Sequence, residues 1–268
     1  MYEHSFLQAI ILGVVEGVSE FLPISSTGHL IIVGDLLGFS SVPGKVFEVV
    51  IQLGAILAIC VLYSGRLTRV VLDAPHDAGA RNFIGATLVA IVPAGLVGVL
   101  YHDFIVEVLF TPYVVCAALI LGGIAIILVE RLHLETRITS VETLSMRTAL
   151  KIGLFQCLAL VPGVSRSGAT ILGALLVGVE RKTAAEFSFF LAIPVMLGAS
   201  AVSLRETWHL INPSDAHIIA AGFAAAFISA LLVVRWLVNF VSHHGFTIFG
   251  WYRIVFGSIL LAYFLMRG

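Results

Sequence analysis

The residues best able to do chemistry fall in two short runs: Glu-Gly-Val-Ser-Glu-Phe-Leu-Pro-Ile-Ser-Ser-Thr-Gly-His from Glu16 to His29, and Pro-Gly-Val-Ser-Arg-Ser-Gly-Ala-Thr from Pro162 to Thr170. Glu16 and Glu20 are spaced i, i+4, which puts them on one face of a helix. Carboxylates so placed repel unless a proton, a metal or another cation lies between them. Ser25, Ser26 and Thr27 follow Pro23 and precede a new helix at Gly28 and His29, so free N–H groups and the positive end of a helix dipole face the loop. That shape receives an anion; ordinary N-capping by the same hydroxyls is the plainer reading. His29 is a general acid or base by type, with a hydrogen-bonded core histidine as the alternative. Arg166 is a planar, permanently charged fork suited to phosphate oxygens, bracketed by small residues that let a ligand approach. Its structural alternative, an ion pair with Glu16 or Glu20, would also bring the two runs together.

The surroundings make these runs expensive. Hydrophobic residues are 59% of the 268-residue chain and charged residues 12%, against about 25% charged in a soluble domain; the mean hydropathy is +1.07. The chain reads as an all-α, polytopic integral membrane protein forming a single domain. Charges and broken backbone inside a bilayer need partners or a function. The formal net charge of −1 argues against a nucleic-acid or other polyanion surface. The opening Met-Tyr-Glu-His-Ser has no basic stretch of the signal-peptide kind, so the first apolar segment is expected to be retained. Cys60, Cys116 and Cys157 lie in apolar stretches and read as small buried hydrophobes.

Six apolar stretches are long enough to cross the hydrocarbon: approximately Val46 to Ser64, Asn82 to Tyr101, Thr111 to Glu130, Thr183 to Leu204, His217 to Val241 and Thr247 to Met266. Two others are too short. Leu7 to Leu22 and Thr148 to Val161 each run into one of the polar loops and return as Leu30 to Gly38 or Ile171 to Gly178. At about 1.5 Å per residue the outgoing legs rise roughly 21 to 24 Å and the return legs roughly 12 to 14 Å. Both read as re-entrant hairpins whose tips lie within the membrane, six transmembrane helices completing the fold.

An offset of 140 superposes Gly13 on Gly153, Ser25 on Ser165, Gly28 on Gly168, Gly34 on Ala174 and Phe47 on Phe187. Each half, roughly 5–130 and 146–266, then holds one hairpin followed by three spans. With loops 65–81, 131–147 and 242–246 in the cytoplasm, the inside cations are Arg66, Arg69, Arg81, Arg131, Arg137, Arg147, Lys151, Arg181, Lys182, Arg235 and Arg253, eleven of fifteen. Lys45, Arg205 and Arg267 fall outside, and Arg166 lies in the second run. This orientation opens the first hairpin outward and the second inward, an inverted repeat of the kind that builds a central polar site. The inverted repeat alone would also suit a transporter or flippase for an isoprenoid phosphate lipid.

Glu48 and Gln52, also i, i+4, sit in the first span and are expected to orient the site from behind; their offset counterparts are Ser188 and Ala192. Glu186 reads as interfacial. His243 and His244 lie in a cytoplasmic turn without partner metal ligands.

Both runs, with Phe47-Glu48-Val49-Val50-Ile51-Gln52-Leu53-Gly54 and Glu186-Phe187-Ser188-Phe189, resemble the bacterial undecaprenyl pyrophosphate phosphatases of the bacitracin-resistance type over essentially the whole chain. The resemblance implies a hydrolase of the bacterial inner membrane that converts undecaprenyl diphosphate to the monophosphate carrier used in peptidoglycan and cell-wall synthesis, with bacitracin tolerance as a consequence. By carry-over, Ser26 is the nucleophile, His29 its acid or base partner, Arg166 the phosphate clamp and Glu16 and Glu20 the acidic pair. The resemblance makes Ser165 and Thr170 further phosphate contacts, and Ser25, Thr27 and Ser167, as polar residues of the same two loops, are candidate phosphate-binding residues beside them. A divalent cation, magnesium or calcium, held at Glu16 and Glu20, and a homodimer are further expectations. Water as nucleophile, with Ser26 only a phosphate ligand, stays open, and the active site is expected to face the extracytoplasmic side.

Overall fold

A computed structural model describes residues 2–39, 44–132, 134–210 and 212–267. Among them the chain is helical, with one isolated bridge between Ile138 and Val179. In chain order the helices are α1 (Tyr2–Ser19), α2 (Ser26–Leu37), α3 (Gly44–Leu62), α4 (Ser64–Asp73), α5 (Ala78–Leu100), the single turn α6 (His102–Phe104), α7 (Pro112–Arg131), α8 (Met146–Gln156), α9 (Arg166–Leu176), α10 (Arg181–Thr207), α11 (Ala216–His244) and α12 (Thr247–Arg267). Five of them, α5, α7, α10, α11 and α12, are long and apolar enough to span a membrane, and α3 with α4 makes a sixth, broken span. The six expected spans therefore each hold a helix.

Two expectations change. Residues 64–73, read as loop, form α4, which leaves α3 at an angle of 69°. Arg66 and Arg69 had marked the segment as polar, but its apolar residues recur on one face, where Val70 is buried. Arg253, counted among the cytoplasmic cations, is 1% exposed and lies in the middle of the protein. The inside tally keeps ten cations without it; the side chains of Lys45 and Arg267 lie outside the described residues.

The hairpins are helix, break, helix. α1 ends at Ser19, a tight turn carries the chain past Pro23, and α2 starts at Ser26. In the second hairpin α8 tightens into a 3-10 turn at Cys157–Leu160, breaks at Pro162 and Gly163, and resumes as α9 at Arg166. Proline cannot continue either ladder, because it lacks the N–H and clashes with the preceding turn. The return helices begin at the motif residues, several positions before the apolar legs that marked them in the sequence.

Packing brings the hairpins to the centre. α1 lies on α11, and α8 lies on α5; α3 meets α10, and α7 meets α12. Small residues permit the first contact: a Cβ on Gly13 would stand 2.2 Å from the Gly222 carbonyl oxygen, and one on Gly17 2.3 Å from that of Ala226. In lipid, where apolar surface gains little by leaving one hydrocarbon for another, such close backbone approach is what holds helices together. Phe21, Phe187, Phe189 and Phe190 fill the core behind the tips, with Phe21 edge-on to Phe189 at 5.6 Å. Leu88, Leu96, Val99, Leu121, Leu232 and Ile259 point outward, as lipid-facing side chains do.

Polar groups gather at the end of the bundle that carries the cationic loops. Arg66 bridges Glu142 and Glu186, the latter at 3.0 Å, and Arg181 pairs with Glu130 at 2.7 Å. Glu186 is thus held in an ion pair.

Candidate active site

The two tips meet, and Glu20 is their meeting point. Its carboxylate accepts the Ser26 hydroxyl on Oε2 at 2.5 Å and Arg166 Nη2 on Oε1 at 3.0 Å. Residues 140 positions apart are therefore bridged by one side chain. The tips also touch directly, since the Ser167 hydroxyl donates to the Leu22 carbonyl at 2.8 Å. Ser26 and Arg166 each open the return helix of their hairpin.

The residue preceding each has the same unusual backbone. Ser25 (φ 71°) and Ser165 (φ 76°) are the two non-glycine residues with positive φ among the described residues. Such a conformation costs of order 1–3 kcal/mol and persists only where surroundings impose it. It turns the chain sharply enough to present the first helical residue to the space between the tips. Ser165 Oγ caps α9 through the Gly168 N–H at 3.1 Å, whereas α2 has no side-chain cap. The first-turn N–H groups of α2 are thus available to an anion.

Between the tips lies a cavity of about 140 Å³, lined by Glu20, Ser25, Ser26, Thr27, Gln52, Ala159, Pro162, Gly163, Ser165, Arg166 and Met196. At roughly 30 Å³ per water it has room for several waters or one compact anionic group. Larger hollows of about 740 and 440 Å³ elsewhere hold neither Ser26 nor Arg166.

Arg166 is locked. Nη1 donates to the Ser188 carbonyl at 2.8 Å, Nη2 also reaches Met196 Sδ at 3.1 Å, and the guanidinium lies 5.8 Å from the centre of the Phe21 ring. Its Nε and Glu16 Oε2 are buried without a hydrogen-bond partner among the described residues. A native protein seldom leaves such groups unmet, and a ligand in the site is a physical reason to do so.

Not every expected residue reaches this cavity. His29 faces the other way: Nδ1 lies 2.7 Å from the Ser25 carbonyl oxygen and Nε2 2.6 Å from the Tyr252 hydroxyl, with the ring stacked on Phe256 at 4.2 Å. A carbonyl can only accept, so Nδ1 carries the proton and Nε2 accepts from Tyr252. The expected proton transfer between His29 and Ser26 has no support in this geometry; the group on the Ser26 hydroxyl is Glu20. Thr170 and Ser167 lie behind the cavity, Thr170 donating to Ser188 Oγ at 2.7 Å and Ser167 bound to Leu22. Direct phosphate contact is expected there no longer, because helix geometry turns both toward the protein. Gln52 lines the cavity; Glu48, one turn away, is exposed.

Glu16 is 1% exposed and one turn before Glu20. Among the described residues no group of three His, Cys, Asp or Glu side chains could hold a metal by itself. Glu20 spends both carboxylate oxygens on Ser26 and Arg166, so the unmet oxygen of the acidic pair is Glu16 Oε2; a cation held there would have to complete its shell from water and substrate phosphate, as magnesium does more readily than calcium.

Sequence reasoning missed Ser188, Met196, Tyr252 and Arg253. A solitary charge inside the apolar stretch from Thr247 to Met266 was the available signal for Arg253.

Comparison with known proteins follows the same residues. The model of the family described as bacitracin resistance protein BacA matches residues 9–259. The chain belongs to that family. A curated undecaprenyl-diphosphatase of Parvibaculum lavamentivorans is 85% identical over 264 residues, covering 98% of each chain. One from Mesorhizobium japonicum, named undecaprenyl-diphosphatase 1, is 49% identical over the full length of both. Another from Phenylobacterium zucineum is 53% identical over 94% of each. The BacA match takes in both tips, the cavity lining and Arg253. None of these comparisons supports the transporter alternative.

Proposed function

We propose that this chain is an undecaprenyl-diphosphate phosphatase, releasing inorganic phosphate from the lipid diphosphate and returning the monophosphate carrier to cell-wall synthesis. The observation that carries the reading is the Ser26–Glu20–Arg166 bridge at the cavity between the two hairpin tips; the relatives' names supply the substrate. Bacitracin tolerance follows from consuming the diphosphate form of the lipid.

In this reading Ser26 Oγ attacks the terminal phosphorus while Glu20 Oε2 takes its proton. The bond from that phosphorus to the bridging oxygen breaks, and the lipid monophosphate leaves. Water then cleaves the phosphoserine, giving inorganic phosphate and restoring the hydroxyl. Catalysis of this kind rests on positioning and on cancelling charge over the equatorial oxygens. Arg166 and the free N–H groups of α2 supply that cancellation. Glu16, with Glu20, would hold a divalent cation, which adds positive charge beside the phosphates when bound.

The halves are read as inverted repeats, supported by the matched positive-φ serines and by α1 on α11 answering α8 on α5. We place the protein in the bacterial inner membrane with the cavity serving the extracytoplasmic face, a reading that rests on the cations of the sequence segments 65–81 and 131–147 being cytoplasmic. Replacing Ser26 by Ala in purified protein tests the chemistry. Phosphate release should fall by three orders of magnitude or more, and turnover within tenfold of wild type would refute a serine nucleophile.

A further inference from the structure

Arg253, on α12, is fully buried and has no ion-pair partner among the described residues. It spends its donors on five backbone carbonyls instead. Nε reaches Leu119 O at 3.2 Å; Nη1 reaches Pro23 O at 3.1 Å and Val164 O at 2.8 Å; Nη2 reaches Ala118 O at 2.9 Å and Gly163 O at 3.0 Å. Pro23 belongs to the first tip, Gly163 and Val164 to the second, and Ala118 and Leu119 to α7. One cation therefore ties both broken loops to each other and to a spanning helix.

The physical need is clear. Each break orphans carbonyls that a helix would have satisfied, and no bilayer water reaches them. A guanidinium, with five N–H donors in a rigid fork, can meet several at once; an ammonium has three, and they are not held in a plane. α7 is shaped to admit it: a Cβ on Gly122 would stand 2.1 Å from Arg253 Nη2, and one on Gly123 3.0 Å from its Cβ.

We propose that Arg253 is a positioning residue for phosphoryl transfer, setting the distance between the two tips and hence the alignment of Ser26, Glu20 and Arg166. It touches none of the reacting groups and acts through the carbonyls of Pro23, Gly163 and Val164. The inference rests on the phosphatase reading, and wild-type phosphate release tests that reading separately.

The experiment compares wild type, Arg253→Lys, Arg253→Met and Gly122→Ala, purified whole in detergent, with a C15 isoprenoid diphosphate as probe. Misalignment by about 1 Å can cost on the order of 10²-fold in rate, so Arg253→Met should lose about that much in kcat with KM changed less than threefold. Arg253→Lys should recover part of the loss. Gly122→Ala, which keeps Arg253 and displaces its guanidinium, should show the same kcat-selective defect. Hydrogen exchange supplies the readout independent of activity: amides at 20–28 and 161–168 should exchange faster in the variants, while α5 and α10 stay at wild-type rates. Should Arg253→Met fail to fold, the other two variants decide. The proposal is overturned by kcat within threefold of wild type in a folded Arg253→Lys or Gly122→Ala protein, or by exchange that accelerates evenly along the chain. Absence of phosphate release by wild type would overturn the phosphatase reading instead.

Discussion

Glu20→Gln is the sharpest probe of the proposed chemistry, because the substitution preserves shape while removing the carboxylate's charge and its ability to take a proton. In the structure Glu20 Oε2 lies 2.5 Å from the Ser26 hydroxyl and Oε1 lies 3.0 Å from Arg166 Nη2. A glutamine can still accept from Arg166 through its amide oxygen, but its nitrogen can only donate toward Ser26. Losing a positioned proton acceptor typically costs about 10²- to 10⁴-fold in rate, which is about 3–5 kcal/mol of barrier at 1.36 kcal/mol per factor of ten. Arg166 would also lose its buried counter-charge. Removing one partner of a buried pair costs roughly 3–5 kcal/mol of stability, softened here by the retained amide bond and the Ser188 carbonyl. The assay is steady-state phosphate release in detergent for Glu20→Gln, Ser26→Ala and the double variant, with thermal unfolding as the control for folding. Residues that act as one unit are not additive, so the double variant should lose no more than the worse single variant. Multiplication of the two losses, or a Glu20→Gln kcat within threefold of wild type, would refute Glu20 as the base on Ser26.

Other consequences can be checked in the same preparations. His29→Asn keeps a donor near the Nδ1 position and should lower kcat without changing the shape of the pH–rate profile; loss of an ionisation near neutrality would restore His29 to proton transfer. Burial tends to raise the Glu142 carboxyl, but the Ser140 hydroxyl and Arg66 outweigh it and hold the group below its ordinary value of 4.5. A carboxylate so depressed stabilises the fold fully above that value and loses the contribution as pH falls through its folded range. The melting-temperature gap between wild type and Glu142→Gln should therefore be constant from pH 7 to about 5.5 and shrink below 4.5; a gap that widens on acidification contradicts the assignment. Gly17→Ala drives a methyl into Ser229 Oγ and the Ala226 carbonyl, and overpacking of that kind costs about 1–3 kcal/mol, whereas Gly34→Ala meets open space and should be neutral or stabilising by up to about 1 kcal/mol. Equal melting temperatures for the two would show that α1 and α11 are not held by close contact. Under the proposed divalent-cation site, Glu16→Gln should raise the magnesium concentration needed for half-maximal activity by tenfold or more; activity that does not depend on magnesium, or an unchanged requirement, removes Glu16 from that role.

Much of this protein is decided locally and could be read from residues in order. Apolar runs of membrane length must become helices, since no other conformation satisfies their backbone without water, and so six spans were legible from composition and length. Pro23 and Pro162 stand in polar runs that interrupt apolar legs too short to span, and that combination made the two hairpins legible as well; Pro93 and Pro194, within long apolar stretches, are carried inside α5 and α10. Glu16, Glu20, Ser26 and Arg166 announced themselves by polarity in an apolar setting. What hydropathy could not convey was direction. His29 shares a motif with Ser26, yet its ring is taken up by Tyr252 and Phe256, and Thr170 and Ser167 are spent on Ser188 and the Leu22 carbonyl. Arg253, inside the expected span Thr247 to Met266, was counted with the cytoplasmic cations because charge was tallied by position along the chain. Its place at the centre follows from carbonyls left open by two breaks 140 residues apart, a demand that exists only once the halves are packed together. Residue type determined which groups would be costly in lipid; tertiary packing decided which of them meet, because contacts between distant segments depend on helix rotation and crossing, neither of which local sequence encodes.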